Sequence, residues 1–269
     1  MKFINRLAAT TTSYGTYSLE EALTGIAAAG FRFVELTAIR GVIEHVPLKA
    51  GAKTRGRIQR LLNRFALTPV ALSAHSNLTT KRGVKDAIHA IDLCEKMGIG
   101  IMNTAVGGPH EGPENETAFL SHIGKLADYA AEREIMITLE IHGELTGTGQ
   151  KAKALVAKVD RPNVKINYDT ANCEYFGDVL AVDDLPDAID VVGLCHLKDK
   201  IGGHRVWNFP TLGKGHVDFR KLLRTFNARN YTGPFSVEVE FKGAPLPSLA
   251  IVNRAIKNSY NYLGQFGLS

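Results

Sequence analysis

A chain of 269 residues, 45% of them hydrophobic, is long enough to bury a large core as one domain. The formal net charge of +5 is too small for a nucleic-acid-binding tail, and no apolar run approaches the roughly 18 residues of a membrane span, so neither nucleic acid nor a membrane is expected as a partner. Three cysteines (Cys94, Cys173, Cys195) without a close pair or a metal-type spacing fit a reduced, cytoplasmic protein, and Met1 to Arg6 lack the apolar core of a secretion signal.

The first strand is expected over Phe3 to Thr11. Ser18-Leu19-Glu20-Glu21 then reads as a capping box that opens a helix running to Gly30. A second strand follows at Phe31 to Leu36 and an Ala/Arg-rich helix at about Ala52 to Phe65. On that helix Lys53, Arg57, Arg60 and Arg64 recur at helical spacing as a basic stripe, the pattern of a solvated face. Pro69 to His75 is the third strand, Lys81 to Met97 a helix, Ile99 to Asn103 the fourth strand, and Gly107 to Pro113 a Gly/Pro-rich loop before a helix to Arg133. Ile135 to His142, ended by Gly143, is the fifth strand, 150–159 a helix, Val164 to Asp169 the sixth strand, 182–189 a short helix and Val191 to His196 the seventh strand. A long polar loop spans Lys198 to Val217, Asp218 caps a helix to Ala228, Gly233 to Glu240 hold the eighth strand, and the last helix runs from near Leu246 to Tyr262.

Strands and helices in strict alternation imply a parallel sheet, and eight such units at this length imply a single (β/α)8 TIM barrel over residues 1–269. The alternative, a doubly wound open sheet, calls for a Gly-rich phosphate turn after an early strand, and strand one is followed by none.

In such barrels the active site lies at the C-terminal ends of the strands. Strands five to eight each end in a polar residue: Glu140, Asp169, His196 and Glu238. Side chains alternate faces along a strand. Glu140 opposes Ile137, Leu139 and Ile141, Asp169 opposes Val164, Ile166 and Tyr168, and Glu238 opposes Phe235, Val237 and Val239. His196 opposes Val191 and Cys195 while sharing its face with Val192 and Leu194, so the four are expected to look into the barrel mouth. Three carboxylates and an imidazole brought together bare would force protonation, and one divalent cation resolves the conflict. Oxygen-rich ligands with one imidazole suit Mn²⁺, Mg²⁺ or Co²⁺, with Zn²⁺ as a further option; Mn²⁺ is taken as the first choice.

The motifs Leu139-Glu140-Ile141-His142, Tyr168-Asp169-Thr170-Ala171-Asn172, Cys195-His196-Leu197-Lys198-Asp199 and Gly233-Pro234-Phe235-Ser236-Val237-Glu238 stand in an order that resembles the sugar phosphate isomerase/epimerase family of xylose isomerase-like barrels, with ketose 3-epimerases and inosose dehydratases among its members. The turn Gly213-Lys214-Gly215-His216-Val217-Asp218-Phe219 is similar to the family's Gly-x-Gly-x-x-Asp-Phe turn. The resemblance implies that Glu140, Asp169, His196 and Glu238 are metal ligands and that Glu140 and Glu238 double as acid/base groups. It implies an isomerase or epimerase of a sugar or keto-sugar, working by proton transfer through a metal-stabilised enediolate. Members are often dimers or tetramers, an analogy that allows a homo-oligomer. One departure is Asn172, where many relatives carry His; with no Asp-x-His pair after His196 it argues against an abasic-site endonuclease and weakens the epimerase reading less. A lyase or dehydratase that eliminates a β-leaving group from a keto-sugar, inosose or 3-keto-glycoside stays open.

Other candidates remain. His142, two residues past Glu140, is a general base of suitable pKa for neutral pH or a hydrogen-bonded rim histidine. His75 and, less strongly, Glu35 are read as strand-end contacts to substrate hydroxyls. Lys198 either holds an anionic oxygen or is a solvated loop lysine. Arg205 and Trp207, the lone tryptophan, lie in a loop able to cover the site, with Trp207 placed to stack on a sugar, and Asn172 completes the substrate-binding set. Glu240 shares the parity of Glu238 and competes with it as ligand; Glu238 is preferred because the family resemblance places the ligand five residues after Gly233. No paired basic residues single out a phosphate.

Overall fold

The computed structural model describes residues 3–107, 113–243 and 246–269. Its strands are β1 (Leu7–Thr10), β2 (Phe33–Ile39), β3 (Ile43–Glu44), β4 (Thr68–Ser73), β5 (Ile101–Thr104), β6 (Met136–Glu140), β7 (Val164–Asp169), β8 (Val192–Leu197) and β9 (Phe235–Val237). All but β3 pair in parallel with their neighbours in chain order, and β1 pairs with both β2 and β9, so the sheet closes as an eight-stranded barrel. The helices are α1 (Leu19–Ala29), α2 (Ala52–Arg64), α3 (Lys81–Met97), α4 (Pro113–Ala131), α5 (Gly149–Val159), α6 (Asn172–Gly177), α7 (Ala181–Ala188), α8 (Phe219–Ala228) and α9 (Leu249–Gly264). This is the expected (β/α)8 architecture. None of the described helices is long and apolar enough to cross a membrane.

Local chemistry accounts for several boundaries. Ser18 and Glu21 cap α1 reciprocally, and Gly30 ends it with φ at 109°. Asp218 caps α8 by accepting from the Lys221 amide at 2.9 Å. The first strand starts at Leu7 rather than Phe3, because the Asn5 side chain donates to the Tyr231 and Gly233 carbonyls at 2.9 and 2.7 Å and ties the approaching chain down first. Two short elements were not expected: the antiparallel β3, which folds back on the end of β2, and α6, which starts three residues after Asp169. The Gly/Pro-rich loop lies, at positions 108–112, outside the described residues.

The expected parity holds. Ile137, Leu139, Ile166 and Val237 lie in the large core shared with the helix layer. Inside the barrel, Ala8, Val70, Ile101 and Leu194 close the lower end, with Phe33 and Met136 packed against them. Above this plug comes a layer of buried polar groups (Glu35, Asn103, Thr138, Asn167) and above that the strand-end residues. An apolar floor under a polar layer leaves the barrel one chemically active end.

Candidate active site

The polar layer acts as a frame. Asn103 and Asn167 each donate a side-chain N–H to Oε2 of Glu140, at 2.9 and 3.2 Å. Thr138 fixes the Asn103 amide by donating to its Oδ1 at 3.1 Å, and Asn167 Oδ1 accepts from the His196 amide at 3.1 Å. Position and orientation of Glu140 are thus set by two neighbouring strands. Asp169 is fixed differently: its Oδ1 accepts from the amides of Ala171 and Asn172, at 2.9 and 2.8 Å, at the start of α6.

His196 is held from behind. Its Nε2 lies 2.9 Å from Oε2 of Glu35, and both side chains are buried. A carboxylate only accepts, so Nε2 carries the proton and Nδ1 faces forward. The forward Nδ1 lies 3.6 Å from Glu140, 3.4 Å from Glu238 and 3.9 Å from Asp169 Oδ2. Glu238 stands one residue beyond β9, with its amide bonded to the Leu197 carbonyl at 3.1 Å.

Glu140, Asp169, His196 and Glu238 therefore converge, each offering one ligand atom, all within 4.8 Å of one another and all buried. Asp169 Oδ2 and His196 Nδ1 have no hydrogen-bond partner in the protein. A buried polar atom left unpaired costs on the order of 1–3 kcal/mol, so two of them facing one point make that point suited to a bound group. Three oxygens and one imidazole nitrogen are the donors that a hard or borderline divalent cation takes, and the cluster could hold one such ion.

Electrostatics agree. Burial raises the Asp169 carboxyl to about 6, with Lys198 opposing and the Glu140 and Glu238 charges adding to the rise. Burial pushes Glu238 the same way, but Lys198 and His196 outweigh it and bring that carboxyl down to about 2. Glu140 is held well below the usual carboxylate range, its burial overcome by His75 and His196. Lys198 is the counter-charge of the site. Its Nζ lies 3.2 Å from Glu238 and 3.6 Å from Asp169, contacts Glu240 directly, donates to Asn172 Oδ1 at 3.3 Å, and sits 4.3 Å from the Phe209 ring centroid.

A cavity of about 370 Å³ opens above the cluster, lined by Glu140, Glu238, His75, His142, Asn172, Lys198 and Trp207 among others. A family model for the xylose isomerase-like TIM barrel matches residues 23–260. The chain belongs to this family. L-ribulose 3-epimerase of Methylomonas sp. (strain DH-1) is 27% identical over 240 residues, which span 81% of this chain and 77% of the relative. Three solved structures share the fold. D-psicose 3-epimerase from Clostridium cellulolyticum H10, crystallised with D-tagatose, gives a TM-score of 0.80 at 14% identity and covers 98% of this chain and 100% of its own. A Mycobacterium smegmatis xylose isomerase-like protein in complex with magnesium gives 0.75 at 17%, covering 99% and 100%. A probable 3-DHS dehydratase from Bacillus anthracis gives 0.74 at 16%, covering 98% and 99%.

Within this xylose isomerase-like barrel several sequence expectations change. Glu35 does not end its strand; β2 runs on to Ile39, and the carboxylate points inward to His196 rather than to a substrate. Lys198 is not a solvated loop residue, because four polar partners draw it in. Glu240 does not compete for the cluster; it pairs with Lys198. His142 lies past the end of β6, packed on the Phe176 ring at 4.7 Å between centroids. Burial, helped by the His75 and Lys198 charges, pushes it down to about 4, so it is neutral at neutral pH and a weaker base than expected. His75, two residues beyond β4, donates from Nε2 to Glu140 Oε2 at 3.1 Å while lining the cavity. Asn172 bridges Glu140 and Lys198, with Nδ2 3.4 Å from Glu140 Oε1. Trp207 is on the cavity wall and 45% exposed. Arg205 stands outside that wall, 3.7 Å from Glu144. The basic stripe lies on exposed α2, with Arg64 paired to Glu20 at 2.7 Å.

Two residues after Lys198 were not singled out and matter for the loop above the site. Asp199 accepts four backbone amides, from Lys200 and Gly213 and Gly215 at 2.8 Å and Val217 at 3.2 Å, and so gathers the glycine turn. A Cβ at Gly215 would lie 2.2 Å from the Lys200 carbonyl oxygen, which explains the glycine there. Lys200 does the converse: its Nζ donates towards the carbonyls of Ile201, Gly202, Gly203 and Val206 at 2.7 to 3.2 Å. The expected long polar loop is therefore anchored by two buried charges.

Proposed function

We propose that the chain is a divalent-metal-dependent isomerase or epimerase of a sugar or keto-sugar. The observation that carries this reading is the pairing of two carboxylates, Glu140 and Glu238, across one buried donor cluster whose Asp169 Oδ2 and His196 Nδ1 lack a hydrogen-bond partner in the protein. Glu140, Asp169, His196 and Glu238 would hold the ion, with Mn²⁺ the first choice and Mg²⁺ or Co²⁺ next. When bound, the cation supplies Lewis acidity towards the substrate's carbonyl and adjacent hydroxyl oxygens.

The chain's own groups divide the remaining work. Glu140 and Glu238 reach the mouth from β6 and from the end of β9, so one takes a proton from the carbon beside the carbonyl and the other returns one. Asn103, Asn167 and His75 hold Glu140 in register for that transfer. Lys198 places a buried positive charge beside Glu238, where it favours the ionised carboxylate needed of a base. Glu35 fixes the imidazole of His196. Asn172, His75 and Trp207 are the proposed substrate contacts, Arg205 only by movement of its loop.

Elimination is the second reading, favoured by the bare Nδ1 of His142 at the cavity, a neutral imidazole available to a leaving group. The protein is to be loaded with Mn²⁺ and given D-psicose, L-ribulose, inososes and 3-keto-glycosides in D₂O, with mass and NMR readout. Deuterium at the carbon next to the carbonyl with unchanged composition is the expected result; loss of water or of an alcohol would move the assignment to a lyase. Absence of exchange with every keto-sugar would sink both.

A further inference from the structure

The cavity above the donor cluster has two unlike parts. Its floor is polar, but its lining also carries the apolar wall residues Ile39, Val42, Ile43, Phe241 and Leu246; of the lining hydroxyls, Ser13 is engaged by the Val239 amide and Thr12 by Thr37. The first three wall residues come from the end of β2 and the β3 hairpin, the last two from the segment after Glu240. The wall is fixed rather than incidental: Leu246 seats on Gly15, where a Cβ would come within 2.3 Å of its Cδ1. Val42 is 73% exposed at the rim, and Trp207, 45% exposed, belongs to the same cavity.

A free monosaccharide carries a hydroxyl on nearly every carbon. Against such a wall those hydroxyls would give up water and gain no partner, a cost of about 1–3 kcal/mol for each group. One aromatic ring can stack on the C–H face of a sugar, but five aliphatic and aromatic side chains on one side exceed what that face covers. A phosphate fits no better. Among the described residues lining the cavity Lys198 is the single lysine or arginine, and three carboxylates already engage it.

We propose that the substrate is a keto-sugar bearing an apolar substituent, an alkyl or aryl ether or glycoside, with its carbonyl end over Glu140 and Glu238 and the substituent against Ile39, Val42, Ile43, Phe241 and Leu246. The inference rests on the isomerase or epimerase reading and adds the substrate class to it. The same wall keeps water from the floor once the substituent is in place.

The test measures solvent deuterium exchange by the Mn²⁺-loaded protein on two series: D-psicose with its 1-O- and 6-O-methyl and hexyl ethers, and 3-keto methyl and hexyl glucoside. Each methylene removed from water at the wall is worth about fourfold, so kcat/KM should rise at least about tenfold from methyl to hexyl in one series. The double variant Val42→Ser/Ile43→Ser should shrink that hexyl-to-methyl ratio. A ratio below tenfold in both series, or one the double variant leaves intact, overturns the inference while exchange on the parent sugars leaves the isomerase reading standing. Absence of exchange on every compound defeats that reading itself.

Discussion

Glu35 and His196 lie 161 positions apart in sequence, yet Oε2 of the one meets Nε2 of the other at 2.9 Å with neither side chain reached by solvent. The contact decides which imidazole nitrogen faces the donor cluster. Glu35→Gln keeps the shape but lets the amide donate as well as accept, so the tautomer is no longer enforced. The expected result is a Mn²⁺ affinity about 10- to 100-fold weaker with the fold retained. Titration of the purified variant against a competing chelator checks it; an unchanged affinity would show that Glu35 does not orient the ligand.

Removing the ion should abolish exchange, and Mn²⁺ should restore it. Binding to the folded chain alone should also add about 2.7 kcal/mol of stability at free ion near 100 times Kd. Thermal unfolding with and without Mn²⁺ reads this directly. Full turnover by a chain verified to be metal-free would refute the proposed mechanism.

Acid should weaken the ion's binding in a definite window. Asp169, raised to about 6 by burial in the metal-free chain, must lose its proton to act as a ligand. Above that value the carboxylate is ready; below it each unit of pH costs up to about tenfold in affinity for one proton displaced. Calorimetry in buffers of different ionisation enthalpy should register more proton release below pH 6 than above it. A flat affinity from pH 5 to 7 would contradict the raised pKa.

Glu140→Gln and Glu238→Gln should each reduce deuterium exchange by two to four orders of magnitude, roughly the contribution of one positioned acid or base. Circular dichroism should stay native, since Asn103, Asn167 and His75 remain in place around position 140. Near-wild-type exchange in either variant would remove that residue from the proton path.

Lys198→Met leaves Glu238, Asp169 and Glu240 without their shared counter-charge. Breaking a buried ionic cluster in this way costs about 3–5 kcal/mol. Adding Glu240→Gln should return part of the loss, because the residue in closest contact then needs no counter-charge. Denaturant unfolding of the metal-free variants measures both steps. A single-variant loss under about 1 kcal/mol would mean that the charge is dispensable.

The barrel and the four converging residues were legible because both follow from local periodicity. Alternation along β6, β7 and β8, and one residue past β9, puts Glu140, Asp169, His196 and Glu238 on the inner face. Glu35 was misplaced because the end of β2 is set by pairing with β3, a two-residue strand with no pattern of its own. Lys198, Asp199 and Lys200 read as a polar loop because burial of charge depends on partners up to 42 positions away, such as Glu240, which local spacing does not reveal. His142 was expected to titrate near neutrality from its residue type alone; the Phe176 ring and burial that lower it come from α6, a helix too short to announce itself.

The neighbouring anchors Asp199 and Lys200 separate what must be kept from what can vary. Asp199 gathers amides and Lys200 gathers carbonyls, so apart from the glycines at 202, 213 and 215 neither depends on the side chains of the segment it holds. Positions 203–207, Arg205 and Trp207 among them, can therefore be exchanged like a cassette while backbone contacts keep the frame shut. Diversity confined to that segment offers a route to new substrate ranges on an unaltered chemical floor.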